Sequence, residues 1–390
     1  MTDVRAIAAA ALPDAVAWRR HLHANPELSF QEHETAKWIH ERLAGFGGLS
    51  IARPTPTSVV ATLKGGRPGR TIGLRADIDA LPIVEETGLD FASTRAGVMH
   101  ACGHDGHTAV LLSVARVLTG MQADLPGEVR FVFQHAEELP PGGAREIVAT
   151  GALDGLDAML GCHLMSTFEA GKVSVSGGPV MAAADFFDAT VEGVGGHGAF
   201  PHETIDPIAI TAQIVSSLQH IVSRTVDPLE SAVVTVTRIT AGSANNVIPP
   251  SVNFGGTVRC FDQTLREAIH QRMHRIVEGI AAAHGARGTI SIDSAFDPVV
   301  NDAALAGQVE ESVLRAVGEA QFQRIPPMMG GEDFSIYARV APITYWFVGA
   351  RNPAKGAEWP HHHPHFTVDE QALETAIAVM TQVAIDQLGA

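Results

Sequence analysis

The chain has 390 residues, 46% of them apolar, which is enough to bury more than one core, and the length favours two domains. A formal net charge of −16 without a long acidic run disfavours phosphate backbones and anionic lipid, so neither nucleic acid nor a membrane is expected as a partner. Three cysteines are too few for a disulfide scaffold, and the N-terminus has an acidic residue and no long apolar core, so the expected compartment is the cytoplasm.

Residues 15–44 show helical periodicity, with Val16, Leu22, Trp38, Ile39 and Leu43 set between charges. Residues 58–63, 71–74 and 129–133 read as strands, the last two apolar nearly throughout, as in a parallel sheet covered on both faces. Residues 108–118 between them are apolar at helical spacing, and strand, helix, strand is the signature of a right-handed crossover in an α/β sheet. Asp77 and Asp79 follow the second strand, His135 to Glu138 follow the third, and His163 follows the apolar run 158–161. Open parallel sheets bind ligands at such carboxyl ends.

The pattern changes near Gly177-Gly178-Pro179. Strands over 187–191, 233–239, 253–258 and 289–293 then alternate with amphipathic helices over 206–223 and 265–284, which predicts an inserted α+β domain spanning 184–296. The flanks, 1–183 and 297–390, include a strand at 343–348 and a closing helix at 369–388. They are expected to form one discontinuous domain.

The chemistry concentrates in His100-Ala-Cys-Gly-His104-Asp-Gly-His107 and His135-Ala-Glu137-Glu138. One glycine between Cys102 and His104 lets the backbone turn sharply enough for both side chains to face one ion. Two adjacent glutamates allow a division of labour, one ligating metal while the other takes a proton from water. A carboxylate at the end of the apolar run 129–133 is held close to the core and needs a partner, which a cation supplies. Singly, each feature has a plainer account: a structural bend at Cys102, a solvated glutamate pair, a hydrogen-bonded core histidine at His163, a processing scar at His361-His-His-Pro-His365. Together, donor clusters at several strand ends and loops point to a metal-dependent hydrolytic site. Cys162 and Cys260 read as small buried hydrophobes.

Over nearly its whole length the chain resembles the dinuclear metal-dependent amidohydrolases and peptidases that include aminoacylases, hippurate hydrolases and auxin-conjugate (IAA-amino acid) hydrolases. The resemblance is carried by His23-Ala-Asn-Pro-Glu-Leu-Ser29, Arg75-Ala-Asp-Ile-Asp-Ala-Leu-Pro82, His100 to His107, Phe133-Gln-His-Ala-Glu-Glu138, Gly195-Gly-His-Gly198, Asn246-Val-Ile-Pro249, Gly256-Thr-Val-Arg259, Gly330-Gly-Glu-Asp-Phe334 and His362-His-Pro-His-Phe366. It implies an α/β fold: a metallopeptidase-like catalytic domain with a mixed, mostly parallel sheet between helices, plus the inserted smaller α+β domain as lid and dimerisation module. It implies two divalent metal ions per subunit, held by Cys102, His104, Glu138, His163 and His362. Glu137 would be the general base, and Asp79 the carboxylate that orients a metal ligand. His197 would steady the oxyanion in a partner subunit's site, making the chain a homodimer or a dimer-based oligomer. Asn246, Arg259 and Gly331 would bind the N-acyl-amino acid substrate, with the guanidinium fork on its carboxylate.

The family usually has proline where His135 stands, so this site gains a polar group near the base or an altered turn. A soft thiolate among harder donors leaves the metal open among zinc, manganese, cobalt and nickel. A dipeptidase or an N-acetyl-diaminopimelate deacetylase would use the same site. A noncatalytic acyl-amino-acid binding protein would have no need of both Glu137 and Glu138. A Cys102 nucleophile paired with His104 or His107 would leave Glu138, His163 and His362 without a role.

Overall fold

The computed structural model describes residues 3–390. The chain divides into two compact units, one formed by Met1–Val180, Val300–Pro326 and Asp333–Ala390, the other by Met181–Val299 and Pro327–Glu332. The sequence reading places the insertion at 184–296 and leaves 327–332 with the flanks. The short segment 327–332 sits instead with the inserted unit because the Ala182 amide donates to the carbonyls of Met328 (3.1 Å) and Gly330 (3.0 Å).

The first unit begins with helices α1 (Val4–Ala24) and α2 (His33–Phe46). The single helical segment expected over 15–44 is therefore broken, since Pro26 disfavours helical backbone at Asn25. Strands β1 (Leu49–Ala52), β2 (Val59–Lys64) and β3 (Arg67–Asp77) follow, then α3 (His104–Gly120), β4 (Pro126–Gln134), α4 (Gly143–Ala149), β5 (Ala158–Glu169), β6 (Val173–Ser174) and β7 (Gly178–Met181). After the insertion come β14 (Val299–Asn301), α7 (Ala303–Val317), β15 (Ile343–Arg351) and α8 (Gln371–Leu388). The seven-stranded sheet runs β1-β2-β4-β3-β5-β15-β6. Its central strands β4, β3, β5 and β15 are parallel and its edges antiparallel. Leu74 on β3 sits in register with Phe131 on one side and Leu160 on the other, all fully buried under α3 and α8.

His163 lies inside β5 rather than beyond its end, because the apolar run continues through Leu164 and Met165. The carboxyl ends of β3 and β4 stand side by side, with Asp77 opposite Gln134. The parallel centre therefore delivers the acidic segment 77–79 and the glutamate pair 137–138 to one edge of the sheet.

The inserted unit holds β8 (Ala183–Glu192), β9 (Gly196–His197), α5 (Pro207–Thr225), β10 (Ala232–Ala241), β11 (Val247–Ile248), β12 (Ser251–Cys260), α6 (Gln263–Ala283) and β13 (Arg287–Phe296). Four strands form an antiparallel sheet in the order β10-β12-β8-β13, and the buried face packs on α5 and α6 through Phe187, Phe254, Ile214 and Met273. Arg266 on α6 is fully buried against Asp185 on β8 (2.9 Å) and also donates to Asp297 (2.7 Å) and the Phe296 carbonyl (3.1 Å), while His270 approaches Asp185 at 2.6 Å. Burial pushes the Asp185 carboxyl up, but Arg266 and His270 outweigh it and hold it below the ordinary aspartate range. Asp185→Asn should cost this unit roughly 1.5–3 kcal/mol, because Arg266 keeps Asp297 and the Phe296 carbonyl but loses its buried counter-charge. Denaturant titration of both proteins checks this. The stabilisation is present above the ordinary aspartate value of about 3.9 and is lost as pH falls through the lower folded-state value. The gap between the two proteins should therefore close on acidification.

Candidate metal centre

Gly103 carries φ 95°, a conformation that favours glycine, and from it α3 starts at His104. This turn separates Cys102 from His104, setting His104 against Asp79 just past the end of β3 and Cys102 against His163 within β5. The Cys102 Sγ lies 3.5 Å from His163 Nε2. The ligand atoms of Cys102, His104 and Glu138 all fall within 4.8 Å of one another, as do those of Cys102, His163 and His361. Cys102 is common to both groups. His362, with φ 65°, reaches Glu138 Oε1 at 3.1 Å.

Hydrogen bonds fix which nitrogen of each ring is free. His104 Nδ1 faces the Asp79 carbonyl (2.9 Å) and Asp79 Oδ1 (3.2 Å), so the proton belongs on Nδ1. Its Nε2 is buried without a hydrogen-bond partner and points at the donor group. His163 Nδ1 donates to the Leu164 carbonyl (2.8 Å), which also accepts from His361 Nε2 (3.0 Å), so one peptide oxygen orients two imidazoles. His107 is spent on orientation: its Nδ1 faces Asp77 Oδ1 (2.6 Å) and its Nε2 accepts the Leu164 amide (2.9 Å). Asp79 Oδ2 accepts from Ser29 Oγ (2.7 Å) and from the Glu138 amide (3.0 Å), tying the imidazole and the glutamate pair to one carboxylate. Such outer contacts set ring orientation and ligand basicity.

Electrostatics show what the site suits. Burial works against a charged His104, yet Asp77, Asp79 and Glu138 outweigh it and lift the imidazole to about 10. Burial, reinforced by Glu138, Glu137 and Asp77, pushes the Cys102 thiol well up. Burial and the neighbouring His107 and His361 hold His163 far down, hence neutral. A pocket that protonates its own imidazole and thiol to offset crowded carboxylates fits a divalent cation, which reverses both preferences. Glu137, 6% exposed, has Oε2 3.9 Å from His104 Nε2, beside that donor group.

Every metal-ligand candidate read from the sequence thus converges on one region of the first unit. His361 joins them, although family spacing selects His362. His135 is buried; its ring turns to Glu146 on α4 (Nε2 to Oε2 3.0 Å) and stands edge-on to Phe30. The remaining candidates lie in the second unit. His197 on β9 is paired with Val247 of β11, and the Gly198 amide donates to the Asn246 carbonyl (2.8 Å). Arg259 on β12 donates through Nε to Thr257 (3.1 Å) and lies over Phe186. A Cβ on Gly331 would come within 2.7 Å of Ala184 and 3.2 Å of the Arg259 guanidinium, so a side chain there would crowd both.

The family model described as Peptidase family M20/M25/M40 matches residues 73–386. The chain belongs to this family. Membership makes this M20 protein a metal-dependent amidohydrolase, as the sequence resemblance implies. It is 57% identical over 288 residues to an N-acyl-L-amino acid amidohydrolase of Geobacillus stearothermophilus, covering 74% of this chain and 78% of the relative. It is 38% identical to an IAA-amino acid hydrolase of Arabidopsis thaliana, with 94% and 84% covered. A solved dinuclear metal-binding M20 peptidase of Bacillus subtilis superposes with a TM-score of 0.86 at 38% identity, covering 98% of this chain and 99% of that one. Among the described residues of this M20 chain, no helix is long and apolar enough to cross a membrane.

Proposed function

We propose that this chain hydrolyses the amide bond of N-acyl amino acids, with two divalent cations held by Cys102, His104, Glu138, His163 and His362 and with Glu137 as the base. The observation that carries the reading is the split between neighbours: Glu138 groups with Cys102 and His104, whereas Glu137 stands outside that group, buried beside it and facing Asp333. The likeness to an N-acyl-L-amino acid amidohydrolase supports the substrate class. Zinc, manganese, cobalt and nickel all suit a sulfur, nitrogen and oxygen donor set. Bound there, the cations supply the charge that polarises the amide carbonyl and acidifies water.

The chain's own residues do the rest. Glu137 takes one proton from the attacking water, whose oxygen bonds to the acyl carbon, and passes that proton to the nitrogen as the C–N bond breaks. Asp79 keeps His104 in the tautomer that leaves Nε2 free. Arg259, which a side chain at Gly331 would crowd, binds the carboxylate of the amino-acid portion, with Asn246 beside His197 contributing polar contacts. His197 donates to the developing oxyanion of a partner subunit's site, with the inserted unit serving as lid and dimer contact. The products are a carboxylic acid and a free amino acid.

The test is a panel of N-acetyl, N-benzoyl and longer acyl amino acids beside a simple dipeptide, assayed with metal-loaded protein. Turnover of the dipeptide alone overturns the substrate assignment. Inactive His197→Ala mixed with inactive Glu137→Gln should recover about a quarter of parental activity at equal mixing if sites are shared across a dimer, by statistical exchange of symmetric subunits. No recovery after verified subunit exchange removes the shared site.

A further inference from the structure

Among the described residues, the non-glycine positions with left-handed backbone are Phe30 (φ 65°), Ala136 (φ 49°) and His362 (φ 65°). All three adjoin the candidate centre: Phe30 follows Ser29, which bonds Asp79, and Ala136 precedes Glu137. Backbone held in such sparsely populated regions persists only where surrounding contacts over-determine it, and it clusters at functional sites.

Ala136 is fixed from three sides. Its amide donates to Glu32 Oε1 at 2.7 Å, its carbonyl accepts the Gly143 amide at 3.0 Å, and the Glu138 amide two residues on donates to Asp79 at 3.0 Å. A Cβ on Gly143 would fall 1.9 Å from the His135 carbonyl, so this closure admits no side chain there. The three anchors bracket Glu137. The one supplied by another part of the first unit's N-terminal region is Glu32, which is absent from the metal-ligand set. Glu32 occupies the N-cap position of α2, where Ser, Thr, Asp or Asn is favoured, yet its side chain caps nothing in that helix. It is fully buried and faces the amides of Phe30 and Ala136. Burial and the nearby Asp79 push its carboxyl up to about 8, so keeping it there works against folding.

We propose that Glu32 is a positioning residue for Glu137: by accepting the Ala136 amide it holds the left-handed turn on which the chain leaves β4, and so sets the direction of the Glu137 carboxylate. The inference rests on Glu137 being the base. It assigns Glu32 no contact with substrate or cation.

Three variants test it in the full chain. Glu32→Gln keeps an accepting oxygen at the same reach, Glu32→Asp draws it back by one methylene, and Glu32→Ala removes it. In metal-free protein, hydrogen exchange at the Ala136 amide should rise at least about tenfold in the Asp and Ala variants and stay near the parent in Gln. In loaded protein, kcat should fall about 10- to 100-fold in Asp and Ala, the scale of a misplacement of roughly 1 Å, with KM and metal content unchanged and with Gln near the parent. If Glu32→Ala fails to fold, the contrast between Asp and Gln decides. Equal protection of Ala136 in Asp and parent overturns the proposal, as does parental kcat once protection is lost. Parental turnover in Glu137→Gln would instead remove the base assignment, so the two failures are read by different measurements.

Discussion

Glu137→Gln should lower kcat on N-acyl amino acids about a thousandfold, inside the 10²- to 10⁴-fold range that a positioned general base supplies. The amide is nearly isosteric, so the surroundings of this buried side chain keep their shape, and Asp79 still holds both His104 and the Glu138 amide. KM and bound metal should therefore stay within about threefold, the signature of an interaction made in the transition state and not in substrate binding. Steady-state kinetics with metal analysis of the same sample reads both. A variant that turns over at the parental rate overturns the role of Glu137.

The other large effect falls on Cys102. It stands in both donor groups, so Cys102→Ala removes a ligand atom from each at once. Metal affinity should drop by at least about 100-fold, beyond the 10- to 100-fold that losing an outer partner costs. Chelation of the parent should abolish turnover and lower its Tm, and added divalent cation should restore both, since binding to the folded state alone adds to its stability. The crowding of Asp77, Asp79 and Glu138 around His104 explains the direction: without a cation these charges are balanced only by protons and neighbouring side chains. Equilibrium dialysis against zinc and manganese, followed by thermal unfolding, measures both quantities. Undiminished metal binding in Cys102→Ala would exclude the thiolate as a ligand, and chelator-resistant turnover would favour Cys102 as a nucleophile.

Local chemistry was the most legible part of the sequence. The Cys102-Gly-His104 turn and the Glu137-Glu138 pair announce themselves because their donors lie close together in the chain, and the apolar runs ending at Leu74 and Phe133 place Asp77, Asp79 and the glutamate pair after strand ends. What the sequence hid is what depends on backbone. The Leu164 carbonyl and amide orient His163, His361 and His107, and a peptide group has no residue-type signature. Periodicity also merged α1 with α2, since apolar spacing carries on across residues 25–32 and only Pro26 marks the break. That missed loop brings Ser29 and Glu32 to the site. Glu32 carried one weak clue, a glutamate at an N-cap position. Choosing between His361 and His362 was beyond local reasoning, because both sit on one short loop and reach different partners: His361 the Leu164 carbonyl, His362 the Glu138 carboxylate.

The parallel pairing of β5 with β15 has a consequence for biosynthesis. Phe347 on β15 lies in register with His163, and the histidines that approach Glu138 and the Leu164 carbonyl follow in the next loop. A nascent polypeptide emerges with its thiol and carboxylates long before these late segments leave the ribosome, and pairings so distant along the chain are slow to form. The complete donor set can therefore close only after the loop carrying His361 and His362 has been made, and a product cut short before it would lack both histidines.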